Sequence, residues 1–137
     1  AAFTGKETID WKGQLVGEDY AVAGNMLVGN RVIESMAQTF ESSEGELAER
    51  LMKALEAGQE AGGDKRGRVS AALVVASHKR GTSPILDLRV DEHPDPVREL
   101  RRILENTRSK KTVTKSGNHK GFMEDLMVYD QCQNSQR

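Results

Sequence analysis

The most constraining feature of the chain is a run from Val69 to Ser77, Val-Ser-Ala-Ala-Leu-Val-Val-Ala-Ser, in which β-branched and small residues leave almost no polar position. Side chains alternate faces along a strand, so a run that is apolar at odd and even positions alike needs cover on both sides. The pattern predicts a central strand, the most buried of the fold. Downstream, Leu86, Leu88 and Val90 alternate with Asp87, Arg89 and Asp91, which predicts a strand over 85–91 with one core face and one polar face. The loop from Ser77 to Pro84, containing His78, Lys79, Arg80 and Gly81, joins the two strands as an antiparallel hairpin.

Helices flank this pair. Val32, Ile33, Met36, Ala37 and Phe40 fall at helical spacing over 30–42, with Asn30 in the N-cap position. Ser43 and Glu46 have the spacing of a capping box, and Leu47, Leu51 and Leu55 then form a stripe that stops at Gly62-Gly63. These two helices are expected to form an antiparallel pair. Asp95 and Pro96 open a third helix, as N-cap and first helical residue, with Val97, Leu100, Ile103 and Leu104 facing inward. Residues 20–28 are again apolar at both parities and predict a third strand of the same sheet, interrupted at Gly24 and Asn25, and Ala1 to Thr4 has the look of an opening strand. Strands followed by helices, with a hairpin among them, give an α+β class.

At 137 residues, 36% hydrophobic and 30% charged, the chain has the composition of one soluble domain, and its net charge of -1 exerts no general pull on polyanions. No apolar run approaches the roughly 18–20 residues that span a bilayer. The chain opens at Ala1 without an initiator Met, so its true start is expected upstream. The single cysteine, Cys132, has no internal partner and favours a reducing, cytoplasmic setting. Charge is unevenly spread: residues 34–60 hold seven acids against two bases, and residues 98–120 hold eight bases against two acids. Both read as solvated surface, and the basic stretch lacks the interleaved aromatics that single-stranded nucleic acid would need. From Thr107 the helical pattern fades into a polar, basic tail in which Phe122, Met123, Leu126, Met127 and Tyr129 mark at most a weakly docked turn.

Two polar clusters are candidate sites. Gly62-Gly63-Asp64-Lys65-Arg66-Gly67-Arg68 is a cation-rich loop leading into the strand that carries Ser70; it lacks the Lys-Ser/Thr end of a phosphate-binding loop and runs from helix to strand. Asp64, Arg66 and Ser70, with Asn25, are either the border of a small anionic ligand's cleft or a helix cap and turn in which Asp64 and Arg66 pair. The second cluster, Asp87, Arg89, Asp91 and His93, projects from one strand edge. Arg89 between the carboxylates favours an alternating ion-pair face over a metal site, so no metal is expected. No nucleophile can be placed beside Asp91 or His93 as general acid or base. His78 and His119 lie in polar loop and tail.

The run from Tyr20 to Leu27, the Leu47-Ala-Glu-Arg-Leu51 stripe, the long stretch Ala54 to Leu73 and the segment Asp87 to Val97 together resemble the prokaryotic family called domain of unknown function 1028, over about residues 1–105. The resemblance implies the layered fold of N-terminal-nucleophile hydrolases: helices over two stacked antiparallel sheets, here a partial αββα sandwich. It divides the chain into residues 1–106, the C-terminal portion of such a domain, and residues 107–137, a tail expected to be flexible. No activity comes with the resemblance, although some members carry a peptidoglycan-binding-like region. An N-terminal nucleophile needs a Ser, Thr or Cys whose own α-amine acts as base. Ala1 has no nucleophile and Thr4 is internal. Two functions therefore stand side by side. One is a binding or assembly module without catalysis. The other is an amide-bond hydrolase, linked to cell-wall peptides, in which the missing N-terminal segment supplies the nucleophile and Asn25 donates to the oxyanion. No cofactor is expected. A homo-oligomer and a small anionic ligand stay open as partners; membrane and nucleic acid are not expected.

Overall fold

The computed structural model describes residues 2–76 and 84–116, with side chains to Ser109. The loop around His78, together with His119, Cys132 and the apolar positions from Phe122 to Tyr129, lies outside the described residues. The elements run β1 (Gly13–Val16), β2 (Ala21–Gly24), α1 (Arg31–Ser42), α2 (Leu47–Glu60), β3 (Ala71–Val75), β4 (Leu86–Val90) and α3 (Pro96–Ser116). The class is α+β: three helices and two small antiparallel sheets among the described residues, β1 with β2 and β3 with β4.

Each hairpin turns one face to the helices. In β3–β4, Leu73 stands opposite Leu88 and Ala71 opposite Val90 on the inner face, while Ala72 and Arg89, and Val74 and Asp87, share the outer face. Leu73, Val90, Met52 of α2 and Leu100 and Leu104 of α3 form the buried centre, with Leu51, Leu55, Leu86 and Ile103 packed around it. In β1–β2, Leu15 opposite Val22 faces inward and Val16 opposite Ala21 faces outward. Helix α1 lies against this hairpin and buries Val32, Ile33, Ala37 and Phe40. Helices α1 and α2 pack closely because position 58 is glycine: a Cβ there would meet the Met36 side chain at 2.8 Å.

Several expectations change. The strand over 20–28 ends at Gly24, since Met26 takes a left-handed φ of 55° and turns the backbone out of the ladder. The Met26 and Leu27 amides then donate to the carbonyls of Ile9 and Trp11. As a result β2 belongs to a separate sheet, paired with β1, a strand of four residues that periodicity did not reveal. Residues 2–4 form no strand, and the Thr4 hydroxyl donates to Gln14 Oε1 at 2.9 Å. Neither N-cap works as expected. Asn30 has helical φ and ψ, and its side chain donates to Glu34 instead. Helix α2 starts after Glu46, while Ser43 ends α1.

The expected double burial of Val69–Ser77 also fails: Leu73 is 4% exposed, but Val74 is 52% and Val69 is 63% exposed, and Ser70 precedes the strand on the surface. Among the described residues only the inner face has cover. Finally, α3 continues past Thr107 to Ser116, and Arg108 within it bonds Glu49 of α2 and Glu46 just before that helix.

Candidate functional site

The loop after α2 is set by the way the helix stops. Gly62 and Gly63 both have positive φ, 115° and 59°, and their amides donate to the carbonyls of Gln59 and Gly58, the paired bonds of a glycine-terminated helix end. The chain then lies against the residues after β2. Val28 donates to the Gly63 carbonyl at 3.1 Å, Lys65 donates to the Met26 carbonyl at 2.8 Å, and Leu27 and Asp64 form an isolated bridge. The Lys65 ammonium reaches the Asp10 carbonyl.

Within this loop Asp64 and Arg66 hold each other. The Asp64 carboxylate accepts from the Arg66 backbone at 2.8 Å, from Nε at 2.9 Å and from a terminal nitrogen at 2.5 Å. The side-chain and backbone bonds from Arg66 lower the Asp64 pKa to about 2, and the same pairing raises that of Arg66. Arg66 is nonetheless 64% exposed. Asn25 is half-buried in the neighbouring segment, Ser70 is exposed, and neither makes a side-chain hydrogen bond among the described residues. The fold thus brings the Asn25 segment to the loop of Asp64 and Arg66, without a contact that joins all four residues.

The second cluster splits. Asp87 and Arg89 share the outer face of β4, but the strand ends at Val90, so Asp91 and His93 lie beyond it. Arg89 donates to Asp91 at 2.7 Å on the surface, which raises the Arg89 pKa. His93 Nδ1 accepts the Asp95 amide at 2.9 Å, fixing the turn into α3, and the Asp95 carboxylate receives Arg68 at 3.2 Å. No group of three or more metal-ligating side chains occurs among the described residues.

The best-held charges were read from the sequence as solvated. Arg101 of α3 bonds Glu56 at 2.7 Å and Glu49 at 2.8 Å, and Arg108 bonds Glu49 at 2.5 Å and Glu46 at 2.9 Å. Arg101 is 19% exposed, and the bonds it donates to Glu56 lead the upward shift of its pKa. Partial burial pushes the Glu49 carboxyl up, but the bonds and charges of Arg101 and Arg108 outweigh it and hold Glu49 below its ordinary value. The spacing was a usable signal: Glu49 and Glu56, like Arg101 and Arg108, are seven apart and so share a helix face.

A different kind of site lies between the hairpins. A groove of about 340 Å³ is lined by Ala21, Val22 and Ala23 of β2 and by Ala72, Leu73 and Val74 of β3. Three consecutive residues from each strand line it, so the strands present their edges rather than a single face. Its floor is Met36 and Phe40 of α1 with Leu51, Ala54 and Leu55 of α2. Tyr20 closes one end, its ring 5.3 Å from that of Phe40 and its hydroxyl bonded to Glu41, which raises the Tyr20 pKa. The lining holds no charged residue. Nothing local in the sequence signals this groove, because it arises where two expected sheet neighbours stand apart.

No helix among the described residues is long and apolar enough to cross a membrane. The chain is similar to the crystal structure of protein SPO2555 from Silicibacter pomeroyi, a DUF1028 protein, at 36% identity and a TM-score of 0.67. The similarity covers 77% of this chain and 46% of that one, so this chain spans about half the length of the solved structure it matches. No curated protein matches the chain. Its residues 1–100 match the DUF1028 family, and the chain belongs to that family of unknown function.

Proposed function

We propose that this chain is an assembly module: a helix layer and part of a sheet layer of an αββα sandwich, of the kind seen in N-terminal-nucleophile hydrolases, that binds the remainder of such a domain. One observation carries the reading. The groove between β2 and β3 has no charged residue in its lining and includes Val74, which is 52% exposed. An exposed apolar groove of this kind is the sort of surface that binds a partner. Two-stranded hairpins are marginal alone, and among the described residues each hairpin here has helices packed on its inner face and no element on its outer one. On this reading Asp64–Arg66 and Arg89–Asp91 are structural pairs, and no ligand is needed to explain them.

The test is to co-express this chain with the half of the Silicibacter pomeroyi protein that it does not match. The expected result is a one-to-one complex on gel filtration, with less binding of a hydrophobic dye than either half gives alone. Separate elution with unchanged dye binding sinks the reading.

A second reading, amide-bond hydrolysis by the assembled domain, draws on the half-buried Asn25 beside the loop of Asp64 and Arg66. It predicts that the complex, and not the chain alone, cleaves amide substrates such as cell-wall peptides, and that Asn25→Ala abolishes the cleavage.

A further inference from the structure

Where β3, β4 and α3 meet, the contacts run through His93, the one histidine among the described residues. Its backbone amide donates to the Val69 carbonyl at 3.0 Å, just beyond the end of the β3–β4 ladder, and its Nδ1 accepts the Asp95 amide at 2.9 Å. The sequence offers no substitute donor: Pro94 and Pro96 carry no amide hydrogen, so Asp95 supplies the one backbone N–H between His93 and Val97. Asp95 in turn opens α3. Its carbonyl accepts the Glu99 amide at 3.1 Å, and Pro96 beside it is fully buried, so the bond from Asp95 to His93 sets where the helix enters the core.

A ring nitrogen accepts a hydrogen bond only while it carries no proton, so this contact requires a neutral imidazole with its hydrogen on Nε2. A histidinium donates from both nitrogens and would set its Nδ1–H against the Asp95 N–H. Histidine is the ordinary side chain whose charge changes between about pH 8 and about pH 5. The charged groups near the ring are Asp95 and Glu99 on the α3 side, with Arg68 and Arg102 bonded to them, and Asp91 and Glu92 in the preceding turn, where Arg89 holds Asp91. Glu99 is held below its ordinary pKa mainly by the bond from Arg102, with a smaller part from the charge of His93. Arg102 grips Glu99 with two bonds, at 2.5 and 2.9 Å, whereas the Asp95 carboxylate has one from Arg68 at 3.2 Å and is the easier to capture. We infer that His93 is a proton-operated joint at the start of α3. The neutral ring caps the Asp95 amide and fixes the entry of the helix. The protonated ring releases that amide and takes the Asp95 carboxylate from Arg68, which unlinks the start of α3 from the segment leading into β3. None of these residues lines the groove, so the joint does not depend on what the groove binds.

The experiment follows the full chain, labelled with nitrogen-15, by NMR from about pH 8 to about pH 5. At the alkaline end the His93 ring is expected to carry its hydrogen on Nε2, with Nδ1 bare. As the ring gains its proton, the Asp95 amide resonance should move with it. Exchange of that amide, corrected for the pH dependence of the intrinsic rate, should quicken by at least about tenfold, while the amides of β3 keep their protection. His93→Asn supplies the control, because an asparagine oxygen accepts the amide two residues on and does not titrate. In that variant the Asp95 amide should keep its position and its protection across the whole range. A proton on Nδ1 at the alkaline end overturns the joint. So does an Asp95 amide that ignores the titration in the parent, or one that responds equally in His93→Asn. The first two measurements are made on the parent chain and decide the matter even where the variant does not fold.

Discussion

The two hairpins are built alike and finished differently. Both are short and antiparallel, and both lay their inner face on helices, yet β3–β4 has a helix on either side of its centre, whereas β1–β2 has α1 and then an open groove. What separates them is α3. It adds Leu100 and Leu104 to the core and locks itself to α2 through Arg101 and Arg108. The chain therefore has a closed end, where stability is concentrated, and an open end, where apolar surface is available to a partner.

The largest expected effect tests the closed end. Leu100 is fully buried in the main core, so Leu100→Ala removes its contacts and leaves a cavity, at a cost of about 2–5 kcal/mol in urea unfolding. Val74→Ala, on the exposed face of the same sheet, should stay within about 0.5 kcal/mol of the parent. Equal losses at the two positions would mean that β3 is already covered on both faces, and the contrast between the two ends would collapse.

Next in size is the ion network. Arg101→Met strands two partly buried carboxylates, although Glu49 keeps Arg108, and a loss of about 1–3 kcal/mol follows, between the values for buried and exposed pairs. The sign with pH is set by Glu49. Its folded pKa lies below the ordinary 4.5, so its contribution is present above that value and is lost as the pH falls through the lowered one. The parent should thus lose stability through the acid range more steeply than Arg101→Met does. Parallel acid unfolding curves for the two proteins would show that the network carries no such linkage.

The same contrast explains what the sequence disclosed. The helices were legible because their burial is one-sided, although in α2 the fully packed positions are Met52 and Ala54, while of the expected stripe Leu51 and Leu55 are partly buried and Leu47 is 49% exposed. Gly62-Gly63 was legible as a stop because a positive φ asks for glycine. The strand β3 was misjudged for a physical reason: apolarity at odd and even positions tells that either face can be buried, not that both are, and among the described residues only the Leu73 face is packed. The charges failed in the opposite direction. An acidic helix and a basic helix each look solvated when read alone, and only their meeting in space, with Arg101 between Glu49 and Glu56, turns them into an internal contact. Of the candidate sites, the pairing of Asp64 with Arg66 was one of two readings the loop allowed, while the groove had no local signature at all.

The smallest expected effect concerns that pair, and it separates the two partners within it. Asp64 accepts from three nitrogens, including the Arg66 backbone amide, so it shapes the turn; the Arg66 side chain adds only its guanidinium, which is largely in water. Screening by solvent leaves little for an exposed pair to contribute. Arg66→Ala should therefore leave the melting temperature unchanged within error, while Asp64→Ala lowers it measurably by freeing the turn that docks on Met26 and Val28. Depression of the Asp64 pKa from 3.8 to about 2 gives the pH window: the turn's advantage is complete above about pH 4 and fades as the pH approaches 2, and Asp64→Asn should remove that dependence. An unchanged melting temperature in Arg66→Ala is compatible with a structural pair only if the side chain has no ligand. Titration of the parent and of Arg66→Ala with inorganic phosphate settles it. Weak, equal binding by both keeps Asp64–Arg66 as part of a turn, and binding by the parent that Arg66→Ala abolishes makes the loop an anion site and moves a second functional surface to the open end of the molecule.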